Sequence, residues 1–257
     1  MKGIDTDYFK SRATVRSFTD EAPSEQLIEK IVEEASHAPN TGNMQLYSVV
    51  ETRDLERLAL MAPFHFNQPA AVNAPVILTV CADLKRFERW CLLSKAKPGM
   101  RNLQMQLAAV TDAVIFAQQI VTIAELNGLG TCYLGTVVYN APEIAELLNL
   151  PDGVIPVAAL AIGYPDKKGE CCERLPVEAV LHNELYDEPT DTRLLELYKA
   201  KDEYTPNRKF IEENGKETLA QVFTDVRYPA ANNEVFSNKL YDFLKAQGFS
   251  VAPSRNE

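Results

Sequence analysis

LQMQLAAVTDAVIFAQQIVTIAELNGLGTCYLG, residues 103–135, is the most telling stretch of this 257-residue chain. Leu103 to Asn127 reads as one long helix, apolar over much of its circumference, and Gly128 is a natural C-terminal stop. A helix apolar on every side has to be covered on every side. That makes it the core helix of a domain, or one shared with a second subunit. Asp112, Gln118, Gln119 and Glu125 interrupt the run, so it reads as a buried helix and no stretch is expected to span a membrane.

Working outward, Ser24 precedes Leu27, Ile28, Ile31, Val32 and Ala35 at helical spacing and is a plausible N-cap, with Ala38-Pro39 closing that helix. Leu46–Glu51 is a short β-prone run. Val76–Cys81 and Val154–Ile162 are nearly continuous apolar strands of the kind covered on both faces. Ala141–Leu148 is a helix with Pro142 in its first turn. Pro165–Pro176 reads as a polar loop, Asp191–Gly215 as charged and irregular, and Val235–Gln247 as a last helix ended by Gly248. Helices interleaved with few strands imply an α+β or three-layer α/β fold.

Composition narrows the function. Hydrophobic content of 46% and charged content of 24% are those of an ordinary soluble globular protein. The net charge of −10 argues against general nucleic-acid binding. The Met1–Asp5 start lacks the apolar core of a signal peptide, so a cytoplasmic protein is the expectation. Five cysteines (81, 91, 132, 171, 172) without a secretion signal argue against a disulfide framework. Cys171-Cys172 is vicinal, and no second cluster completes a zinc site. His37, His65 and His182 are scattered. Neither a GxSxG nucleophile motif nor a cysteine nucleophile signature occurs.

Three segments could carry chemistry. Arg12, Thr14 and Arg16 alternate with Ala13 and Val15, so an extended segment puts two guanidinium groups and a hydroxyl on one face. That suits a phosphate and an electron-rich ring edge, although alone it reads more readily as a solvated basic turn. Ala38-Pro39-Asn40-Thr41-Gly42-Asn43-Met44-Gln45 is dense in side-chain amides, which can donate and accept at a heteroaromatic edge, and it serves equally as a helix-to-strand turn. Gly128–Gly135 allows a close backbone approach. Its glycines follow a helix instead of opening one, so it is neither a dinucleotide fingerprint nor a P-loop.

Taken in order, Arg-x-Thr-x-Arg-x-Phe, Ala-Pro-Asn-x-x-Asn-x-Gln, a long helix into Gly-Leu-Gly-x-x-Tyr-x-Gly, Ala-Ile-Gly-Tyr-Pro and Arg174-Leu175-Pro176 resemble the nitroreductase family of FMN enzymes. The run Ala124–Gly135, the Val180-Leu181-His182-Asn183-Glu184 segment and the Tyr241–Phe249 ending are similar to the oxygen-insensitive, NADPH-preferring nitroreductases and flavin reductases within it. The resemblance implies an α+β three-layer sandwich, with a central mixed, mostly antiparallel sheet flanked by helices, in a domain-interlocked homodimer. It implies an FMN-binding core over residues 1–190 and a C-terminal extension over 191–257 that packs on the core or the partner subunit. Two FMN molecules would sit at the subunit interface, each touched by both chains.

Residue by residue, the resemblance assigns Arg12, Ala13 and Thr14 to the phosphate and ribityl chain, and Arg16 to the flavin N1 and O2 edge. Pro39, Asn40, Thr41, Asn43 and Gln45 fall beside the ring, and Gln68 at its edge. Tyr133, Leu134, Gly135 and Thr136 form the backbone turn facing N5, and Arg174 is a second phosphate ligand. No side-chain nucleophile or acid–base residue is implied. NAD(P)H, either NADPH or NADH, would deliver hydride, and a flat electron acceptor would then collect two electrons in a ping-pong cycle. The alternatives are flavin reduction or dehalogenation on the same fold, a non-catalytic flavin-binding dimer, and a dimer that has lost its cofactor. The family often has a base two positions before Arg174, where this chain has Cys172. That charge is missing or is supplied elsewhere, with Lys167 and Lys168 nearby in sequence. Tyr204–Lys209 lies in the extension that supplies a cation for the NADPH 2′-phosphate in the resembling subgroup, and it reads equally as a solvated loop. On this assignment Arg174→Ala weakens FMN binding by the roughly 1.5–3 kcal/mol of a charge-assisted contact. A variant that kept FMN through dialysis as the parent does would remove Arg174 from the role.

Overall fold

A computed structural model describes residues 7–249. The chain separates into two compact units, one within residues 1–11 and 170–235, the other within 12–169 and 236–257. The larger unit is built on a four-stranded sheet of β1 (Tyr47–Thr52), β2 (Val76–Asp83), β3 (Gly130–Leu134) and β4 (Val154–Gly163), in the order β1-β2-β4-β3. Of the mixed, mostly antiparallel sheet expected, the described residues show antiparallel pairs throughout. The register slips once, at Val80/Cys81 opposite β4. The sequence of β3 reads only as a glycine-rich turn, because five residues opening on Gly130 are too few to show a strand period.

Side chains of the two central strands alternate between two layers, as the pleat requires. Val76, Leu78, Val80, Ala158, Leu160 and Ile162 face the long helix Leu103–Leu126 and the helix Glu25–Ala35. Ile77, Ala159 and Ala161 face the opposite layer, with Val15, Phe18, Met61, Leu134 and Ile144. A third cluster joins Leu46, Ala82, Leu84 and Ala109 to Phe243 and Phe249 near the C-terminus. This is the α+β sandwich the resemblance implies, with every residue of β2 buried between helical layers.

The helix boundaries follow local chemistry. Ser24 caps the 25–35 helix by accepting from the Leu27 N–H, and Asn102 caps the long helix by accepting from Met105. Gly128 ends the long helix in the left-handed region at φ +82°, where a side chain is strained. The long helix buries one face through Ala109, Asp112, Ala113, Phe116, Ile120 and Ala124 and leaves Leu103, Leu107, Val114 and Ile115 exposed. At 24 residues it is long and apolar enough to cross a membrane by length and composition, which corrects the expectation that no stretch is. Half of its apolar window lies inside the protein, as in the core helix of a soluble domain.

The smaller unit corrects the reading of 191–215 as irregular. Two helices, Asp191–Glu203 and Thr205–Glu213, occupy it. Thr190 caps the first by accepting from Arg193, and Pro206 sits in the first turn of the second, where a missing N–H costs nothing. The charges that mask the helical period lie on solvent faces, some paired four apart as Lys199–Glu203 and Lys209–Glu213. Tyr204–Lys209 is therefore a helix start, with Asn207 Nδ2 held by Glu173 Oε1 at 2.8 Å. The last helix begins at Ala230, five positions before the expected Val235.

Close approach explains one further glycine. A Cβ on Gly130 would lie 2.7 Å from Val15 Cβ, because the Val15 N–H donates to Thr131 O at 3.0 Å and lays the 12–18 segment along β3. Gly130→Ala is expected to lower stability by about 1–3 kcal/mol through overpacking, read as a drop in melting temperature. Replacing Val15 with glycine removes the Cβ that clashes, so Gly130→Ala should cost little in the Val15→Gly background, and an undiminished cost there would rule out this clash.

Candidate functional site

The Arg12–Phe18 segment shows the alternation read from its sequence only between Val15 and Arg16. Val15 is buried on Gly130, whereas Arg16 is exposed. Arg12, Ala13 and Thr14 are half-buried. Arg12 Nη2 pairs with Glu125 Oε1 at 3.1 Å and donates to Thr131 Oγ1 at 3.4 Å, and Thr131 donates to the same carboxylate. The Arg12 charge is thus largely balanced from the last turn of the long helix. Arg16 makes no ion pair among the described residues. Both arginines act on Cys132: burial pushes its thiol pKa up, and the positive charge of Arg16, then of Arg12, pulls it back. Burial also raises Tyr133 to about 12, against Arg12. The segment and the Tyr133–Thr136 turn are therefore neighbours. Leu134 and Thr136 are buried, and Gly135 is exposed.

The loop carrying Lys167 and Lys168 is docked on the same segment. Ser17 Oγ donates to Asp166 Oδ2 at 2.9 Å, and the Asp166 N–H to Ser17 O at 3.1 Å. Both lysines are exposed and without an ion pair among the described residues. Arg174 belongs to the smaller unit, is exposed, and donates to the carbonyls of Cys172 and Glu173 at 3.1 and 3.0 Å. Cys171 Sγ donates to Ser11 O at 3.2 Å, and neither Cys171 nor Cys172 forms a disulfide among the described residues.

The Pro39–Gln45 loop is held from the long helix. Asp112, 2% exposed, accepts from both the N–H and the hydroxyl of Thr41, at 2.9 and 2.8 Å. Asn40 Oδ1 accepts from the Gln45 N–H at 3.0 Å. Asn43 and Gln45 have positive φ, 56° and 51°, a conformation that costs non-glycine residues roughly 1–3 kcal/mol each and persists only where the surroundings impose it. Pro39 and Asn43 are exposed, and Asn43 makes no side-chain hydrogen bond among the described residues. Gln68 stands at the N-cap position of the short helix Pro69–Asn73 and is exposed. Its N–H donates to His65 O at 3.2 Å. His65 Nδ1 lies 2.8 Å from Thr136 Oγ1, so Gln68 and the turn are joined through one residue.

Sequence reading misses Asp112, His65 and Asn140, whose side chain donates to Phe64 O at 2.7 Å. Asp112 leaves a signal, a lone carboxylate at the middle of an apolar helix. His65 and Asn140 leave none, because their partners lie 71 and 76 positions away in sequence.

The donor set suits FMN. Thr14, Arg16, Asn43 and Gln68 make no side-chain hydrogen bond among the described residues. Thr14, Arg16 and Gln68 offer a hydroxyl, a cation and an amide on segments tied to β3 and its following turn, and Asn43 offers a second amide on the separate 39–45 loop.

The nitroreductase family model matches residues 9–164. An FMN reductase [NAD(P)H] of Bacillus subtilis (strain 168) is 32% identical over 246 residues, covering 93% of this chain and 94% of its own. The oxygen-insensitive NADPH nitroreductase of Salmonella typhimurium is 30% identical over 185 residues, 72% of this chain and 75% of its own. Among solved structures, a Bacteroides fragilis NCTC 9343 protein superposes with a TM-score of 0.93 at 43% identity, covering 95% of this chain and 99% of its own. A nitroreductase of B. subtilis superposes with a TM-score of 0.83 at 26% identity, covering 95% and 98%. The family model and these relatives show that the chain belongs to the nitroreductase family.

Proposed function

We propose that this protein is an FMN-dependent oxidoreductase that takes electrons from NAD(P)H and passes them to flat acceptors such as nitroaromatics, quinones or flavins. FMN, when bound, would supply the redox chemistry of two-electron transfer from NAD(P)H to the acceptor. The chain binds and orients it. Thr14 and the Lys167–Lys168 loop face the phosphate and ribityl end, with Arg12 steadied by Glu125 in the same region. Arg16 stands at the N1–O2 edge, where a fixed positive charge stabilises negative charge better than water does. Backbone N–H groups of the 134–136 turn face N5, and Gln68 meets the ring edge. The observation that carries this reading is Arg16, an exposed guanidinium that makes no ion pair among the described residues and whose charge reaches Cys132, in the strand that leads into that turn. The activities of the B. subtilis FMN reductase and the S. typhimurium nitroreductase support it.

The same reading calls for a homodimer. Arg12 is anchored at Glu125 and Thr41 at Asp112, thirteen positions apart (125 − 112) on one helix, or about 20 Å along its axis. A second copy covering the exposed Leu103, Leu107, Val114 and Ile115 brings its Pro39–Gln45 loop to the other copy's Arg16. One titration tests the function. The purified protein should be yellow, bleach anaerobically with NADPH, and recover with a nitroaromatic or quinone; repeating it with NADH ranks the donors. A colourless protein that takes up no FMN would overturn the proposal, and a yellow one that NAD(P)H leaves unbleached would make it a non-catalytic flavin binder.

A further inference from the structure

The Ala62–Gln68 segment and the Gly135–Asn140 turn are fastened together by side chains to which the proposed chemistry gives no task. His65 is fully buried, and its Nδ1 meets Thr136 Oγ1 at 2.8 Å. Asn140 Nδ2 holds Phe64 O at 2.7 Å, and Lys239 Nζ holds Asn140 Oδ1 at 2.9 Å from the last helix. Between these anchors, Phe66 and Asn67 both carry positive φ, 55° and 50°. Two adjacent non-glycine residues keep that conformation only where contacts impose it. The strained pair leads directly into Gln68, whose N–H returns to His65 O.

His65 thus grips both sides: its carbonyl takes the Gln68 backbone and its ring takes Thr136. Burial pushes its pKa down to about 4, so the ring is neutral near pH 7. Its Nε2 has no hydrogen-bond partner among the described residues. A leucine of similar size would fill the space but could make no bond to Thr136. Packing therefore does not explain a histidine here, whereas a directional bond to Thr136 does.

We propose that His65 is a positioning residue, which through Thr136 sets the 134–136 backbone and the Gln68 loop at a fixed separation for the cofactor ring. The inference rests on the FMN reading for what is positioned, but the clamp can be tested without it. Amide hydrogen exchange of residues 134–138 is measured on FMN-free protein, and FMN affinity by fluorescence quenching on the same samples. His65→Leu and Thr136→Val should each speed exchange in 134–138 and weaken FMN binding by about tenfold, the loss of one hydrogen bond. The double variant should be no worse than either single one. His65→Asn, whose amide can stand near the Nδ1 position, should recover most of both. Should His65→Leu fail to fold, the nearly isosteric Thr136→Val and the Asn variant carry the same comparison. Parent-like exchange in 134–138, or losses that add in the double variant, would overturn the clamp. A lowered melting temperature with both readouts unchanged would also overturn it and leave His65 a structural residue. If no sample binds FMN, the functional reading falls while the exchange result still decides the clamp.

Discussion

Arg16→Ala is expected to lower the reduction potential of the bound flavin and to slow its reduction by NAD(P)H by roughly 10²–10³-fold, the usual effect of removing one preorganised group that stabilises developing charge. The size follows from placement. Arg16 is exposed and without an ion pair among the described residues, so its charge is available to a ligand. Arg12, four positions earlier, directs its charge to Glu125 at 3.1 Å. Arg12→Ala should therefore move the potential much less while loosening the 12–16 segment. Anaerobic potentiometry and single-turnover reduction of both variants separate the roles. A potential unchanged in Arg16→Ala, or a larger shift in Arg12→Ala, would take Arg16 away from the ring edge.

Acid should weaken the fold through His65 by about 3 kcal/mol between neutral pH and pH ~4. Burial lowers its pKa from 6.5 to about 4, and each tenfold weakening of proton binding is worth about 1.4 kcal/mol. The sign follows from which state binds the proton first. The unfolded chain protonates near 6.5 and the folded one only near 4, so falling pH favours the unfolded chain across that window. The contribution is intact above about 6.5 and is lost progressively below it. Urea midpoints of the parent and of His65→Gln, measured at several pH values from about 7 to 4, give the test. The parent should lose more stability than the variant, with the gap opening below about pH 6.5. Parallel curves would show that His65 is not the buried neutral group in question.

Local patterns carry well where a single segment satisfies its own physics. The long helix, its glycine stop, the Ser24 cap and the two buried strands are legible because period, cap chemistry and apolar run length are properties of neighbouring residues. The 191–213 helices are not, because solvent-exposed helices held by charge pairs leave no apolar stripe to read. β3 escapes because a five-residue strand at the sheet edge draws its identity from Val15 on one side and β4 on the other.

The candidate site divides along the same line. Residue order alone points to the family, and with it to a flavin and to the arginines, amides and glycine turn that would meet it. Folding settles which of those groups are available. It gives the Arg12 charge a partner in Glu125, leaves Arg16 without one among the described residues, ties Thr41 to Asp112, and joins Gln68 to Thr136 through His65. The Thr41 and His65 pairings each cross 71 positions of chain. A short-range pattern specifies what a segment can form, whereas a long-range hydrogen bond or ion pair exists only once the sheet has brought its two ends together.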